Sequence, residues 1–170
     1  FAVQVNAPIM VDSTQPEALA AGMELLGGRS LINSINLEDG ESRLDQVCFL
    51  AKRHGAVLIA LTIDERGMAK TVERKLEIAR RIFELCTERH GLNPNSILYD
   101  PLTFTIASGD EESRRAAIET LEAVRRIKAE IPASRCLLGL SNVSFGLKPY
   151  ARQILNSVFL AEALKCGLDA

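Results

Sequence analysis

One feature constrains the fold of this chain more than any other. Five short runs of β-branched residues and leucine alternate with longer segments of helical period. The runs cover residues 8–12, 30–35, 56–63, 97–99 and 135–140. The third is almost wholly apolar, which suits a strand buried on both faces of a parallel sheet. The segments between them predict helices over about 15–26, 41–53, 72–89, 108–130 and 150–165. Thr14 with Glu17 and Pro16 reads as the start of the first helix, and Ser108 with Glu111 as the start of the fourth. Gly27 and Gly28, Gly55, Gly91 with Pro94, and Gly167 read as stops. Strand–helix alternation of this kind predicts an α/β fold of parallel strands with helical crossovers. A doubly wound open sheet and part of an eight-fold (β/α) barrel both fit.

With 170 residues, 47% of them apolar, and no low-complexity linker, a single domain with a sizeable core is expected. No stretch approaches the ~20 apolar residues of a membrane span. Twenty basic against twenty-two acidic residues leave no basic excess for nucleic acid, so a small molecule or another protein is the expected partner. Cys48, Cys86, Cys136 and Cys166 form no CxxC or Cys/His cluster and read as thiols in or near the core of a cytoplasmic protein. Neither GxGxxG after the first strand nor GxxxxGK[ST] is present. No Ser-His-Asp or Cys-His set is visible; His54 and His90 both lie in Arg-His-Gly helix ends. The basic run from Lys70 to Arg81 reads as a solvated helix face.

In parallel α/β proteins chemistry gathers at the C-terminal strand ends. Here those ends are polar: Asp12, Asp64, Asp100 and Asn142 close or follow their runs, and the second run carries Asn33. Plainer readings exist for each. Asp12 could cap the next helix, Asp64 and Asp100 could serve turns, and Asn142 could bond the backbone near Ser144. Asn33, inside a strand, is hardest to explain that way. A rim of carboxylates and amides suits a flat heterocycle with several N–H and C=O groups, because a carboxylate accepts two parallel hydrogen bonds from an amino group and an adjacent ring N–H.

The segments Pro-Ile-Met-Val-Asp12-Ser, Asn33-Ser-Ile-Asn36, Asp64-Glu65 with Gly67, Asp100-Pro-Leu and Gly139-Leu-Ser-Asn142-Val-Ser-Phe-Gly146 occur in order along the chain. They resemble the pterin-binding domain of the cobalamin-dependent methionine synthases and the related methyltetrahydrofolate:corrinoid methyltransferases. The resemblance implies a (β/α)8 TIM-type barrel that binds methyltetrahydrofolate at its C-terminal face. It implies that Asp12, Asn33 and Asp100 hydrogen-bond the pterin and that Asn142 meets N5, the nitrogen carrying the methyl group. Arg152 resembles an arginine of the site, with a solvent-facing helix position as its alternative, and Asp64 an acidic residue of the rim.

By the same likeness the methyl acceptor is the cobalt of a corrinoid (cobalamin) carried on another module. No Asp-x-His-x-x-Gly cobalamin motif and no thiolate cluster for zinc occurs here. A dihydropteroate synthase also resembles this barrel, but its Ser-Arg-Lys type motif is replaced by Leu-Ser-Asn-Val-Ser-Phe. A non-catalytic module that binds folate or docks a corrinoid protein is the other alternative. A closed barrel takes about 250 residues and eight units. Five are visible and the chain starts at Phe1 without Met, so a fragment is expected, with two units before Phe1, a last strand beginning near 168–170, and weak or no activity alone.

Overall fold

A computed structural model describes residues 4–109 and 111–170. Phe1 and part of the expected Ser108–Glu111 helix start lie outside the described residues. Five parallel strands form one sheet: β1 (Met10–Asp12), β2 (Leu31–Ile35), β3 (Val57–Leu61), β6 (Ile97–Asp100) and β7 (Arg135–Cys136), in the order β1-β2-β3-β6-β7. Between β3 and β6 the chain adds a small antiparallel hairpin, β4 (Ile63–Asp64) with β5 (Gly67–Met68). The helices are α1 (Pro16–Glu24), α2 (Ser42–His54), α3 (Val72–Glu84), α4 (Glu111–Glu130) and α5 (Pro149–Lys165). Neighbouring helices touch, α1 with α2, α3 with α4 and α4 with α5.

The apolar run at 56–63 becomes the central strand. Leu58, Ile59 and Ala60 are all at most 1% exposed, because helices cover one side and neighbouring inward side chains the other. The core joins Leu19, Met23, Ile32, Leu44, Val47, Leu76, Ala79, Ile82 and Ile127 from the helices and strands. Gly55 ends α2 at φ 63°, the left-handed conformation a helix stop requires. No helix among the described residues is long and apolar enough to cross a membrane.

Four local expectations change. Helix α1 starts at Pro16 with Gln15 as its N-cap and no side chain capping it, so Thr14 stands outside the helix, and the Ser13 Oγ accepts from the Gln15 N–H at 3.1 Å. The third apolar run breaks at Thr62, whose N–H bonds the Asp100 carbonyl at 3.1 Å while Ile63 turns into the hairpin. Helix α3 widens after Glu84 into a π turn, Leu85–Arg89. The fifth run is strand only at Arg135–Cys136; beyond it the Leu137 N–H still bonds Tyr99, but the backbone turns at Gly139 into a 3₁₀ segment, Leu140–Ser144. Residues 168–170 run beside β7, with the Asp169 N–H on Cys136 O and the Leu138 N–H on Ala170 O.

Candidate functional site

Register alone brings the first two candidates together. Asp12 closes β1 and faces Asn33 of β2 directly as its ladder partner, with the Ser13 N–H on Asn33 O at 3.1 Å. Asp12 is exposed and Asn33 half-buried. The β2–β3 ladder shifts register between Asn33 and Ile35, where the Asn33–Ser34 peptide is cis. Behind Asp12 the Arg43 guanidinium donates to the carbonyls of Thr14 and Ser13 at 3.2 and 3.3 Å, fixing the turn that leaves β1. Nothing in the sequence pattern pointed to Arg43, which reaches back thirty residues from α2.

Asp100 ends β6, opposite Leu61 of β3. Its carboxylate accepts the Leu102 N–H at 2.8 Å. Burial pushes its carboxyl above the ordinary range, against the pull of that N–H, of the Lys75 charge and of the Gly139 backbone N–H. Lys75 corrects the reading of residues 70–81 as a solvated face. It is 0% exposed, donates to the carbonyls of Pro101 and Leu102 (the latter at 3.0 Å), and sits 5.0 Å from the centroid of the Phe104 ring. Burial draws its pKa down from 10.5 to about 8, with Asp100 and Glu119 acting the other way. A signal was present: Lys75 lies three residues after Val72 and four before Ala79, on the apolar stripe of α3.

Asp64 lies on the hairpin, 5% exposed. Its carboxylate accepts the Arg66 N–H at 3.0 Å and a short hydrogen bond of 2.6 Å from Arg74. The geometry gives it turn and ion-pair duties at the rim. Further basic groups of α3 are paired in the same way, Arg74 also with Glu77, and Arg81 with Glu65 and Glu41.

Asn142 sits in the 3₁₀ segment after β7, exposed, with its N–H on Gly139 O at 3.1 Å. Arg152, in the first turn of α5, neither points idly to solvent nor stands apart. Its Nε donates to Ser144 Oγ at 3.1 Å and its Nη2 to Ser141 O at 3.3 Å, bracing the turn that carries Asn142. Ser144 in turn donates to Ser141 O at 3.0 Å.

Asp12 and Asp100 thus end β1 and β6, Asn33 sits mid-way along β2 level with Asp12, and Asn142 lies in the 3₁₀ segment after β7, with β3 between β2 and β6 in the sheet. Such a row offers carboxylate acceptors at two points, Asp12 and Asp100, and amides, donor and acceptor both, at the other two, Asn33 and Asn142. A separate cavity of about 420 Å³ opens between α3, α4 and the loop after β6, lined among others by Thr71, Phe104, Arg115 and Glu119, and it includes none of the four. The row, whose groups converge from separate strands, is the better candidate site.

Comparison with known proteins meets this geometry. Residues 2–170 match the family model for pterin binding enzymes. The methionine synthase of Mycobacterium tuberculosis is 54% identical over 173 aligned positions, covering 100% of this chain and 14% of that protein. The methionine synthase of Mycobacterium leprae is 54% identical over 166, covering 96% and 14%. The chain thus spans a small part of the curated relatives it matches. Among solved structures, dihydropteroate synthase from Xanthomonas albilineans in complex with 7,8-dihydropteroate superposes with a TM-score of 0.68 at 16% identity, over 98% of this chain and 60% of that one. The Thermus thermophilus dihydropteroate synthase gives 0.62 at 18% identity, over 98% and 66%. At such identities the likeness is one of fold, the parallel strand–helix architecture of a partial (β/α) barrel. The chain belongs to the pterin binding enzyme family.

Proposed function

We propose that this domain binds methyltetrahydrofolate and presents its N5 methyl group to the cobalt of a corrinoid carried on another module, the first methyl transfer of methionine synthesis. One observation supports the reading: in a chain that matches the pterin binding enzymes and is 54% identical to methionine synthases, Asp12 pairs with Asn33 across β1 and β2 while Asp100 ends β6 and Asn142 follows β7. Asp12 and Asn33, ladder partners, would take adjacent N–H and C=O groups of the pterin edge. Asp100 would accept a further N–H.

The chemistry needs an amide beside N5. A methyl on a tertiary amine transfers poorly because the nitrogen would leave as an anion; protonated, it leaves neutral. Asn142 is no general acid at neutral pH, so its part is to orient and stabilise N5–H⁺ as it develops, while the proton arrives through Asp12 or water. Arg152 and Gly139 hold the Asn142 turn for that purpose. Among the described residues no group of three His, Cys, Asp or Glu side chains could hold a metal ion. The corrinoid, carried on another module, enters as a substrate, and no residue of this chain is assigned to ligate it.

The test is to mix the protein with methyltetrahydrofolate and cob(I)alamin and follow the absorbance of methylcobalamin. Transfer that falls in Asn142→Ala and Asp12→Asn is expected. Transfer untouched in Asn142→Ala but abolished in Asp12→Asn would remove the role given to Asn142. A sample that binds methyltetrahydrofolate yet never transfers its methyl would make this a binding or docking module. Thermal protection by a pterin pyrophosphate and not by methyltetrahydrofolate would make it a dihydropteroate synthase-like enzyme.

A further inference from the structure

Beneath the Asp100 end of the rim lies a charged side chain that the methyl transfer itself does not use. Lys75 is supplied by α3, is 0% exposed, and donates to two consecutive carbonyls, Pro101 O and Leu102 O. The Leu102 carbonyl is held a second time, by Thr120 Oγ1 of α4 at 2.9 Å. Leu102 itself has φ 62°, a left-handed conformation that a leucine keeps only under constraint. Its N–H donates to the Asp100 carboxylate at 2.8 Å, beside the backbone N–H of Gly139. An apolar residue would fill the place of Lys75 without the cost of burying charge, so packing does not account for a lysine here. What a lysine adds is a pair of hydrogen bonds to a turn whose shape decides where one rim carboxylate points.

We propose that Lys75, seconded by Thr120, is a positioning residue for Asp100. By holding the carbonyls of Pro101 and Leu102 it fixes the turn, the turn aims the Leu102 N–H, and that N–H keeps the Asp100 carboxylate in the one orientation in which it meets a flat N–H edge. The inference rests on the reading of Asp100 as a pterin ligand and names what makes that ligand rigid. Lys75 touches no substrate; its effect reaches the ligand through Asp100.

The experiment measures the dissociation constant for methyltetrahydrofolate in the wild type and in Asp100→Asn, Lys75→Met, Lys75→Arg, Thr120→Val and the double variant Lys75→Met with Asp100→Asn. Lys75→Met should weaken binding roughly tenfold or more, the loss expected when a charged hydrogen-bond anchor is removed. Lys75→Arg, which keeps donors and charge, should recover part of it. The same Lys75→Met change should add little once Asp100 is already Asn, because the two residues act in series. A merely structural lysine would weaken binding equally in both backgrounds, and that result overturns the proposal. Thr120→Val changes little volume and gives the same test if Lys75→Met fails to fold: unchanged affinity there, with Asp100→Asn clearly weakened, also overturns it. If Asp100→Asn binds as tightly as wild type, the assignment of Asp100 fails first and the role of Lys75 falls with it.

Discussion

Lys75 should leave a mark on the pH dependence of stability that can be isolated from every other titrating group. Folded, its pKa is about 8; unfolded, it returns to its ordinary 10.5. Below pH 8 both states are protonated and the folded protein bears the full cost of keeping an ammonium out of water. Between pH 8 and 10.5 the folded state has lost the proton while the unfolded state still holds it, so stability rises with pH across that window. The full effect is about 3 kcal/mol. Other buried groups run the opposite way. Burial raises Tyr99 and Cys136, the latter to about 12, and the contact with the Cys48 thiol, with burial behind it, raises Cys86, so their folded forms keep protons the unfolded chain gives up, and stability falls above pH 9. The raw curve therefore mixes signs. Urea unfolding of wild type and Lys75→Met, at matched pH from 7 to 10.5, cancels what the two share. The wild type should gain on the variant by about 3 kcal/mol over that range. The orphaned carbonyls of Pro101 and Leu102 add only a constant offset to the variant. A difference that stays flat to within about 0.5 kcal/mol would mean that the lysine is solvated in the folded protein and that the reasoning from its burial is wrong.

Three further outcomes are expected. A Cβ at Gly139 would lie 2.9 Å from the Asn142 Nδ2, closer than side chains tolerate, so Gly139→Ala should swing the amide away and cut methyl transfer about tenfold with little change in unfolding midpoint. Asp64→Asn should cost about 1–3 kcal/mol in a denaturant titration by breaking the buried pair with Arg74, while methyltetrahydrofolate affinity holds; lost affinity at full stability would instead put this carboxylate on the ligand. The Tyr99 hydroxyl is buried with no hydrogen-bond partner among the described residues, so Tyr99→Phe should leave stability unharmed or raise it by up to about 1 kcal/mol, read by the same titration.

The parallel sheet was legible because its signal is local and repeated: an apolar run such as 56–63, a helical stripe such as Val72, Leu76 and Ala79, and a left-handed glycine such as Gly55 each show themselves within a few residues. The rim was legible for a related reason. Amides and carboxylates at strand ends stand out against apolar runs, and parallel pairing carries Asp12 to Asn33 without further information. What stayed hidden depends on partners distant in sequence. Lys75 counts as a charge in any composition argument, and only the arrival of the 101–104 loop over α3 shows why the stripe tolerates it. Arg43 acts on the carbonyls of Thr14 and Ser13, which carry no residue-type signal at all. The brevity of β7 is set by Gly139 and by the turn that Asn142 and Arg152 share, again a tertiary matter.

The pairing of Asp12 with Asn33 places two of the rim groups across a seam. β1 is three residues long and pairs with β2, Met10 opposite Leu31, Val11 opposite Ile32 and Asp12 opposite Asn33. So short a ladder opens more readily than the long elements of the core, so without ligand the β1–β2 seam should part at a free energy below that of global unfolding. A ligand gripping both side chains binds only the closed form and would staple the seam, slowing exchange of the Ser13 and Leu31 amides that bridge it, toward Asn33 O and Ile9 O, in proportion to ligand occupancy. Occupancy of the site and closure of the β1–β2 seam are then one equilibrium seen from two sides.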